Sequence, residues 1–169
     1  MTTKKKPGTT RSDESGDNDN SNGILLVAID FSGDSREALL WAGREADRLG
    51  CRLMILHVVH DPASSPGFYQ RMDIDWLKPM TDIAREMVHA FLKKTQAEHP
   101  SLSALAKAEI KLVTGLPVGR IVEVAKSINA SLIVIGSRGR TGLPHILIGS
   151  VAERVVQLAP MPVVVVKQT

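Results

Sequence analysis

The chain has 169 residues, 43% of them hydrophobic, and a formal net charge of +3, which is enough for one domain with an aliphatic core. Aromatic residues make up only 4% and no basic stripe is interleaved with them, which argues against a protein that stacks single-stranded nucleic acid. The single cysteine, Cys51, excludes an internal disulfide. Because no apolar run is long enough to cross a membrane, we expect a cytoplasmic protein.

Residues 1–22 differ in composition from the rest. They contain three consecutive lysines followed by Ser, Thr, Asp, Asn and Gly, and no apolar residue after Met1. Such a segment cannot bury enough surface to offset its ordering entropy, so we predict a disordered tail before a domain at residues 23–169. Both a docking arm and an inert extension fit this composition.

The first half of the domain reads as strand, helix, strand. Residues 24–29 (ILLVAI) form a continuous apolar run, which predicts a buried strand. Asp34 with Glu37 three residues later is the pattern of a capping box, so a helix is expected from there to Gly50. Arg52–Val59 is the second predicted strand.

The alternation continues to the end of the chain. A proline-, serine- and glycine-containing loop over residues 62–72 precedes a long helix, which is expected to begin near Asp75 and to end before Pro100. The remaining predicted elements are strands at residues 108–113, 132–135 and 163–166 and helices beginning at Pro117 and spanning residues 151–158.

This alternation predicts an open five-stranded parallel sheet with helices on both faces and strand order 3-2-1-4-5. Ligands of such sheets bind beyond the carboxyl ends of the strands, where the winding reverses. If the first and fourth strands are neighbours, that crevice is bordered by Asp30 and Gly136.

A glycine-rich segment lies between the fourth strand and the last helix. Glycine permits close approach of backbone to a ligand, and the N–H groups of a helix start carry partial positive charge. The segment therefore predicts an anion site, to which Arg138 and Arg140 can add positive charge. Solvated loop arginines are the competing interpretation. Asp30 can accept from a sugar hydroxyl or cap a backbone N–H, and Ser150 can cap the helix, bind the anion, or do both.

The spacing Gly-x2-Gly-x9-Gly-Ser, formed by Gly136, Gly139, Gly149 and Ser150, resembles the nucleotide-binding signature of the universal stress protein family. The first strand and its turn, including residues 27–30 (VAID), are also similar to that family. The resemblance covers essentially all of residues 23–169. It implies a Rossmann-like fold of the adenine nucleotide alpha hydrolase type, in the branch of the family that binds ATP.

The resemblance also implies roles for individual residues. Asp30 would contact the ribose or adenine, with Ala28 beside it, and Val58 would wall the adenine. Ala28 departs from the proline often found there. The loop that would wrap ribose and phosphates is Gly136, Ser137, Arg138, Gly139, Arg140, Thr141 and Gly142, and the outer phosphates would meet Gly149, Ser150 and Val151. Mg²⁺ could bridge the phosphates near Ser150, with no metal ligand set supplied by the protein.

The last strand indicates how copies of the chain could associate. Val163, Val164, Val165 and Val166 would form a flat apolar edge if this strand is outermost. Such an edge favours a homodimer paired across a two-fold axis, in agreement with the usual state of the family. A central or covered strand is the alternative, and an unidentified protein partner also stays open.

The predicted function is regulatory ATP binding in a stress response. The main alternative is an ATP-consuming enzyme, either a slow ATPase or an AMP-forming pyrophosphatase. The turn over residues 30–35 (DFSGDS) resembles the loop of ATP pyrophosphatases, although its second glycine is missing. No general base is evident in the sequence, which favours regulation over turnover. The histidines have no carboxylate partners in a metal-ligand pattern.

Overall fold

The computed structural model describes residues 23–59, 80–139 and 148–168. Within them lies a five-stranded parallel sheet of order β3-β2-β1-β4-β5, which confirms the predicted fold and strand order. The strands are β1 (Ile24–Ala28), β2 (Arg52–Val59), β3 (Glu109–Thr114), β4 (Leu132–Gly136) and β5 (Val163–Val166). The helices are α1 (Gly33–Leu49), α2 (Met80–Glu98), α3 (Ser103–Ala106), α4 (Pro117–Ser127) and α5 (Ser150–Leu158).

Three predicted features fall wholly or partly outside the described residues. These are the tail at residues 1–22, the loop at residues 62–72 and the first residues of the long helix, which is described from Met80. The short helix α3 was not predicted. Its four residues are too few for a periodic pattern, and it is capped by a distant side chain, Asp47, which accepts from the Ala104 N–H at 2.8 Å.

The sheet is buried on both faces, which explains why its central strands are continuous apolar runs. Leu25, Val27 and Ile55 pack beneath α1, α2 and α3. Leu26 and Leu56 belong to the opposite cluster, beneath α4 and α5. All five side chains are at most 2% exposed. Successive residues of one strand thus serve two different helical layers.

The beginning of α1 differs from the prediction. Its N-cap is Ser32, whose side chain accepts a hydrogen bond from the Ser35 N–H at 3.1 Å. The predicted Asp34–Glu37 capping box is therefore wrong, because the Asp34 side chain is used elsewhere. The predicted end is confirmed: Gly50 has φ 64°, the left-handed conformation that glycine adopts without strain.

Strand β5 is the outermost strand on its side and pairs only with β4 among the described residues. Its four valines are all half-buried. Val164 and Val166 pack towards the α1 layer, while Val163 and Val165 pack towards α5. The described chain thus leaves the outer edge of β5 without a strand partner.

Candidate functional site

A cleft of about 570 Å³ opens at the carboxyl ends of β1, β2 and β4, beside the first turns of α4 and α5. This volume is within the usual range for small-molecule sites. The described members of the predicted site all line it, and they are Ala28, Asp30, Val58, Gly136, Ser137, Arg138, Gly139, Gly149, Ser150 and Val151. Arg140, Thr141 and Gly142 lie outside the described residues.

One half of the cleft is apolar. Ala28 and Val58 lie on the face of the sheet that is covered by α4 and α5, and Ile121 of α4 belongs to the same cluster. Pro117, the first residue of α4, lines the same side. Sequence reasoning missed both α4 residues, since only the packing of that helix brings them to the cleft.

Asp30 takes the capping role, one of the two considered for it. Its Oδ1 accepts from the Ser32 N–H at 3.0 Å and from the Ser32 hydroxyl at 2.5 Å, so this oxygen holds the turn after β1. Its Oδ2 faces Gly139, where an added Cβ would lie 3.0 Å away. Asp30 and Gly139 therefore meet across the crevice, as the strand order requires.

The turn that carries Asp30 is strained. Phe31 has φ 67°, which is unusual for a bulky residue. Its ring centroid is 4.5 Å from that of His57 and 5.6 Å from that of Phe91. His57 is itself fixed by its Nδ1, which lies 2.9 Å from the Ile29 carbonyl oxygen. These contacts hold the turn in a conformation that the backbone alone disfavours.

A glycine is required at position 136 for a reason other than the predicted anion site. A Cβ at this position would lie 2.8 Å from both the Asp34 carbonyl carbon and the Ser35 nitrogen. These are backbone atoms of α1, which cannot move aside independently. The glycine therefore allows the first turn of α1 to lie directly against the end of β4.

Helix α5 begins at the cleft without a side-chain cap. Its N-cap is Gly149, whose N–H donates to the Ser137 carbonyl oxygen at 2.6 Å. Ser150 is the first residue of the helix, so the interpretation of Ser150 as the N-cap is wrong. The first N–H groups of a helix have no intrahelical acceptor. At α5 they lie beside the cleft, together with the Ser150 side chain.

Arg138 lines the cleft but is engaged by the protein. Its Nε donates to Asp34 Oδ2 at 3.2 Å, and its side chain is 25% exposed. Asp34 is only 4% exposed, and its Oδ2 also accepts from the Ser137 hydroxyl at 2.6 Å. Burial disfavours the charged carboxylate, but the hydrogen bonds from Arg138, Ser137 and the Gln168 N–H, together with the charge of Arg138, lower the pKa of Asp34. Sequence reasoning missed this role by assigning Asp34 to a helix cap.

Neither a metal cluster nor a membrane-spanning helix occurs in the described residues. No group of three or more His, Cys, Asp or Glu side chains in residues 23–59, 80–139 and 148–168 could hold a metal ion. In the same residues, no helix has both the length and the apolar character needed to cross a bilayer.

Residues 22–167 match the sequence profile of the universal stress protein family. The chain belongs to this family. It is 50% identical over 144 residues to a universal stress protein of Methanocaldococcus jannaschii, covering 85% of this chain and 81% of that protein. It is 36% identical over 148 residues to a universal stress protein of Mycobacterium tuberculosis, of which it spans only 45%, and 86% of this chain is matched.

Solved universal stress proteins share the fold. The universal stress protein of Archaeoglobus fulgidus in complex with dAMP superposes with a TM-score of 0.57 and 26% identity, covering 86% of this chain and 98% of that one. The relation to universal stress proteins therefore extends from the sequence profile to the three-dimensional arrangement of the sheet and helices.

Proposed function

We propose that this universal stress protein binds ATP in the cleft. The observation that carries the proposal is the meeting of three features at one place: the Asp30 carboxylate, the exposed backbone at Gly139, and the uncapped first turn of α5. The adenine would lie against Ala28 and Val58, and the ribose would lie beside Asp30.

The phosphates would then follow the glycine segment to α5. A polyphosphate is a suitable ligand for a helix start whose N–H groups lack a cap, because the partial charges of the helix favour an anion there. Ser150 adds a hydroxyl donor at the same turn. Mg²⁺ would accompany the phosphates near Ser150.

The relative from Archaeoglobus fulgidus supports the nucleotide class, because its structure is a complex with dAMP. An adenine base and a phosphate are common to dAMP and ATP. The triphosphate is proposed because the uncapped start of α5, with Ser150, lines the same cleft as Asp30 and Gly139 and offers a place for further phosphates.

The proposed active form is a homodimer joined through β5. No described strand pairs with the outer edge of β5, and its side chains are apolar on both faces; such an edge favours pairing with another strand. In this proposal nucleotide binding regulates the dimer or a further protein partner during a cytoplasmic stress response.

Slow ATP hydrolysis is the second candidate, and one observation favours it. Glu153, in the first turn of α5, lines the cleft and brings a carboxylate to its phosphate side. Glu153→Gln separates the candidates: if the protein is an ATPase, ADP release falls by about 10²-fold or more, the usual contribution of a general base. A binding protein shows no turnover in either form.

Glycine substitutions test ATP binding directly. Gly139→Leu places a side chain against Asp30 and across the cleft, whereas Gly119→Leu adds the same group on α4, where a Cβ meets nothing within 4 Å. Titration calorimetry should detect ATP binding in the wild type and in Gly119→Leu, with at least a tenfold loss of affinity in Gly139→Leu. Equal affinity in all three proteins would overturn the assignment of the cleft, as would a wild type that binds no adenine nucleotide.

A further inference from the structure

Asp34 joins segments that are far apart in the sequence. It is the second residue of α1 and is almost fully buried, at 4% exposed. Its Oδ2 accepts from the Ser137 hydroxyl at 2.6 Å and from the Arg138 N–H at 3.0 Å. Ser137 and Arg138 are the first two residues of the glycine segment after β4. The carboxylate therefore fixes the Ser137 side chain and the Arg138 backbone.

The other oxygen reaches the end of the chain. Asp34 Oδ1 accepts from the Gln168 N–H at 3.2 Å, and Gln168 follows β5 by two residues. A second bond runs in parallel, from the Ser137 N–H to the Val166 carbonyl oxygen at 2.6 Å. The start of the glycine segment is thus joined to the end of β5 in two ways, by a backbone hydrogen bond and through the buried Asp34 carboxylate.

The chemistry of this position calls for a carboxylate. All of its described partners are donors: a hydroxyl, two backbone N–H groups and a guanidinium. An asparagine has one acceptor oxygen and an NH₂ group that would face other donors. Replacement by asparagine would therefore leave either the glycine segment or Gln168 without its acceptor.

We propose that Asp34 is a positioning residue that links the cleft to the β5 edge, so that nucleotide binding and strand pairing strengthen one another. The inference rests on the proposed function, since it takes the cleft as the nucleotide site and β5 as the dimer edge. Its new content is the residue through which the two communicate.

Arg138 provides the two states that such a link needs. In the structure its guanidinium binds Asp34, yet it also lines the cleft and is 25% exposed. A polyphosphate in the cleft competes with Asp34 for this guanidinium. When the Arg138 guanidinium turns to the phosphates, the Asp34 carboxylate keeps its hydrogen bonds from Ser137 and Gln168. The negative charge of Asp34 is then shared among fewer hydrogen-bond donors. The end of β5 is held more firmly as a result.

The test measures the dimer dissociation constant by sedimentation, with and without ATP, using the full chain. ATP should lower this constant by about fivefold or more in the wild type, the low end of measured coupling factors. In Asp34→Asn the factor should fall to one. Glu37→Gln, which removes a carboxylate from the same helix, should keep the wild-type factor.

A second pair of variants covers the case in which Asp34→Asn folds poorly. Gln168→Pro removes the N–H that donates to Asp34, while Gln168→Ala keeps this N–H and removes the glutamine side chain. The coupling factor should be lost in the first and kept in the second.

The outcomes separate the two proposals. A wild type that binds ATP and dimerises, but whose two equilibria are independent, overturns the link and leaves the proposed function standing. Retention of the full factor in both Asp34→Asn and Gln168→Pro also overturns the link. Absence of ATP binding, or of a dimer at any concentration, overturns the proposed function and the link with it.

Discussion

Helices α1 and α5 are the next described helices after the central strands β1 and β4, and both begin at the cleft, but their first turns differ. Helix α1 is capped by Ser32, and the preceding Asp30 holds Ser32 in turn. Helix α5 begins with Gly149 and has no side-chain cap. At the start of α1 a side chain of the protein thus accepts from the Ser35 N–H, one of the first N–H groups of the helix. The start of α5 leaves its donors beside the cleft, where an anion can accept from them.

The largest effect is expected at Gly136, where the end of β4 contacts the first turn of α1. Gly136→Val places a Cβ within 2.8 Å of the α1 backbone, so α1 and β4 must separate. We expect a loss of about 1–3 kcal/mol in the free energy of unfolding, as for other overpacked sites. Urea unfolding measures it. Gly119→Val, at a position with open space, is the control, and an equal loss there would show that the close approach is unimportant.

The second prediction concerns the strained backbone of Phe31, in the turn that leads into α1. Phe31→Ala and Phe31→Gly both remove the contacts to His57 and Phe91, but only glycine adopts φ 67° without cost. We therefore expect the glycine variant to be more stable than the alanine variant by about 1 kcal/mol. Thermal unfolding of the two variants measures the difference. An alanine variant that equals or exceeds the glycine variant in stability would mean that the turn stores no strain.

The caps themselves can be compared through two serines. Ser32→Ala removes the cap of α1 and should lower the free energy of unfolding by about 1 kcal/mol. Ser150→Ala removes no cap and should change it by less than about 0.5 kcal/mol. In calorimetry, Ser150→Ala should still weaken ATP binding several-fold, through the lost hydroxyl. If the two substitutions were equally destabilising, the contrast between the helix starts would be wrong.

The smallest expected effect concerns acid. Because the pKa of Asp34 in the folded protein lies below its ordinary value of 3.8, the folded state favours the charged carboxylate. Its contribution to stability is complete above pH 3.8 and is lost as the pH falls through the lowered pKa. Asp34→Asn should lack this part of the acid dependence of unfolding, and Glu37→Gln should retain it. Identical profiles for Asp34→Asn and the wild type would contradict the assignment.

The sheet could be predicted from the sequence because its strands are buried on both faces. A continuous apolar run such as Ile24–Ala28 has few other interpretations, and β2 and β5 were placed at their observed bounds. Strand alternation with helices then limited the topology to few choices. The same reasoning predicts that Asp30 and Gly136 border one crevice, and both residues line the cleft.

Hydrogen bonds between side chains and residues far away in the sequence were harder to predict. Asp34 followed by Glu37 fits a local capping pattern, but the carboxylate binds Ser137, Arg138 and Gln168, more than 100 residues away in the chain. The glycine pattern predicts Gly136 as part of an anion site, but it does not predict the close approach of α1, which also requires a glycine there. Local sequence carries no signal for such contacts, because they depend on how finished elements pack.

The most direct test of the central claim is an amide NMR titration of the full chain with ATP and, separately, with adenosine. The account predicts that both ligands shift Ala28 and Val58 at the apolar side, while only ATP shifts Ser150 and Val151 at the start of α5. If ATP leaves the amides of α5 unmoved, or if adenosine moves them as far as ATP does, the uncapped helix start is not the phosphate site and the account is wrong.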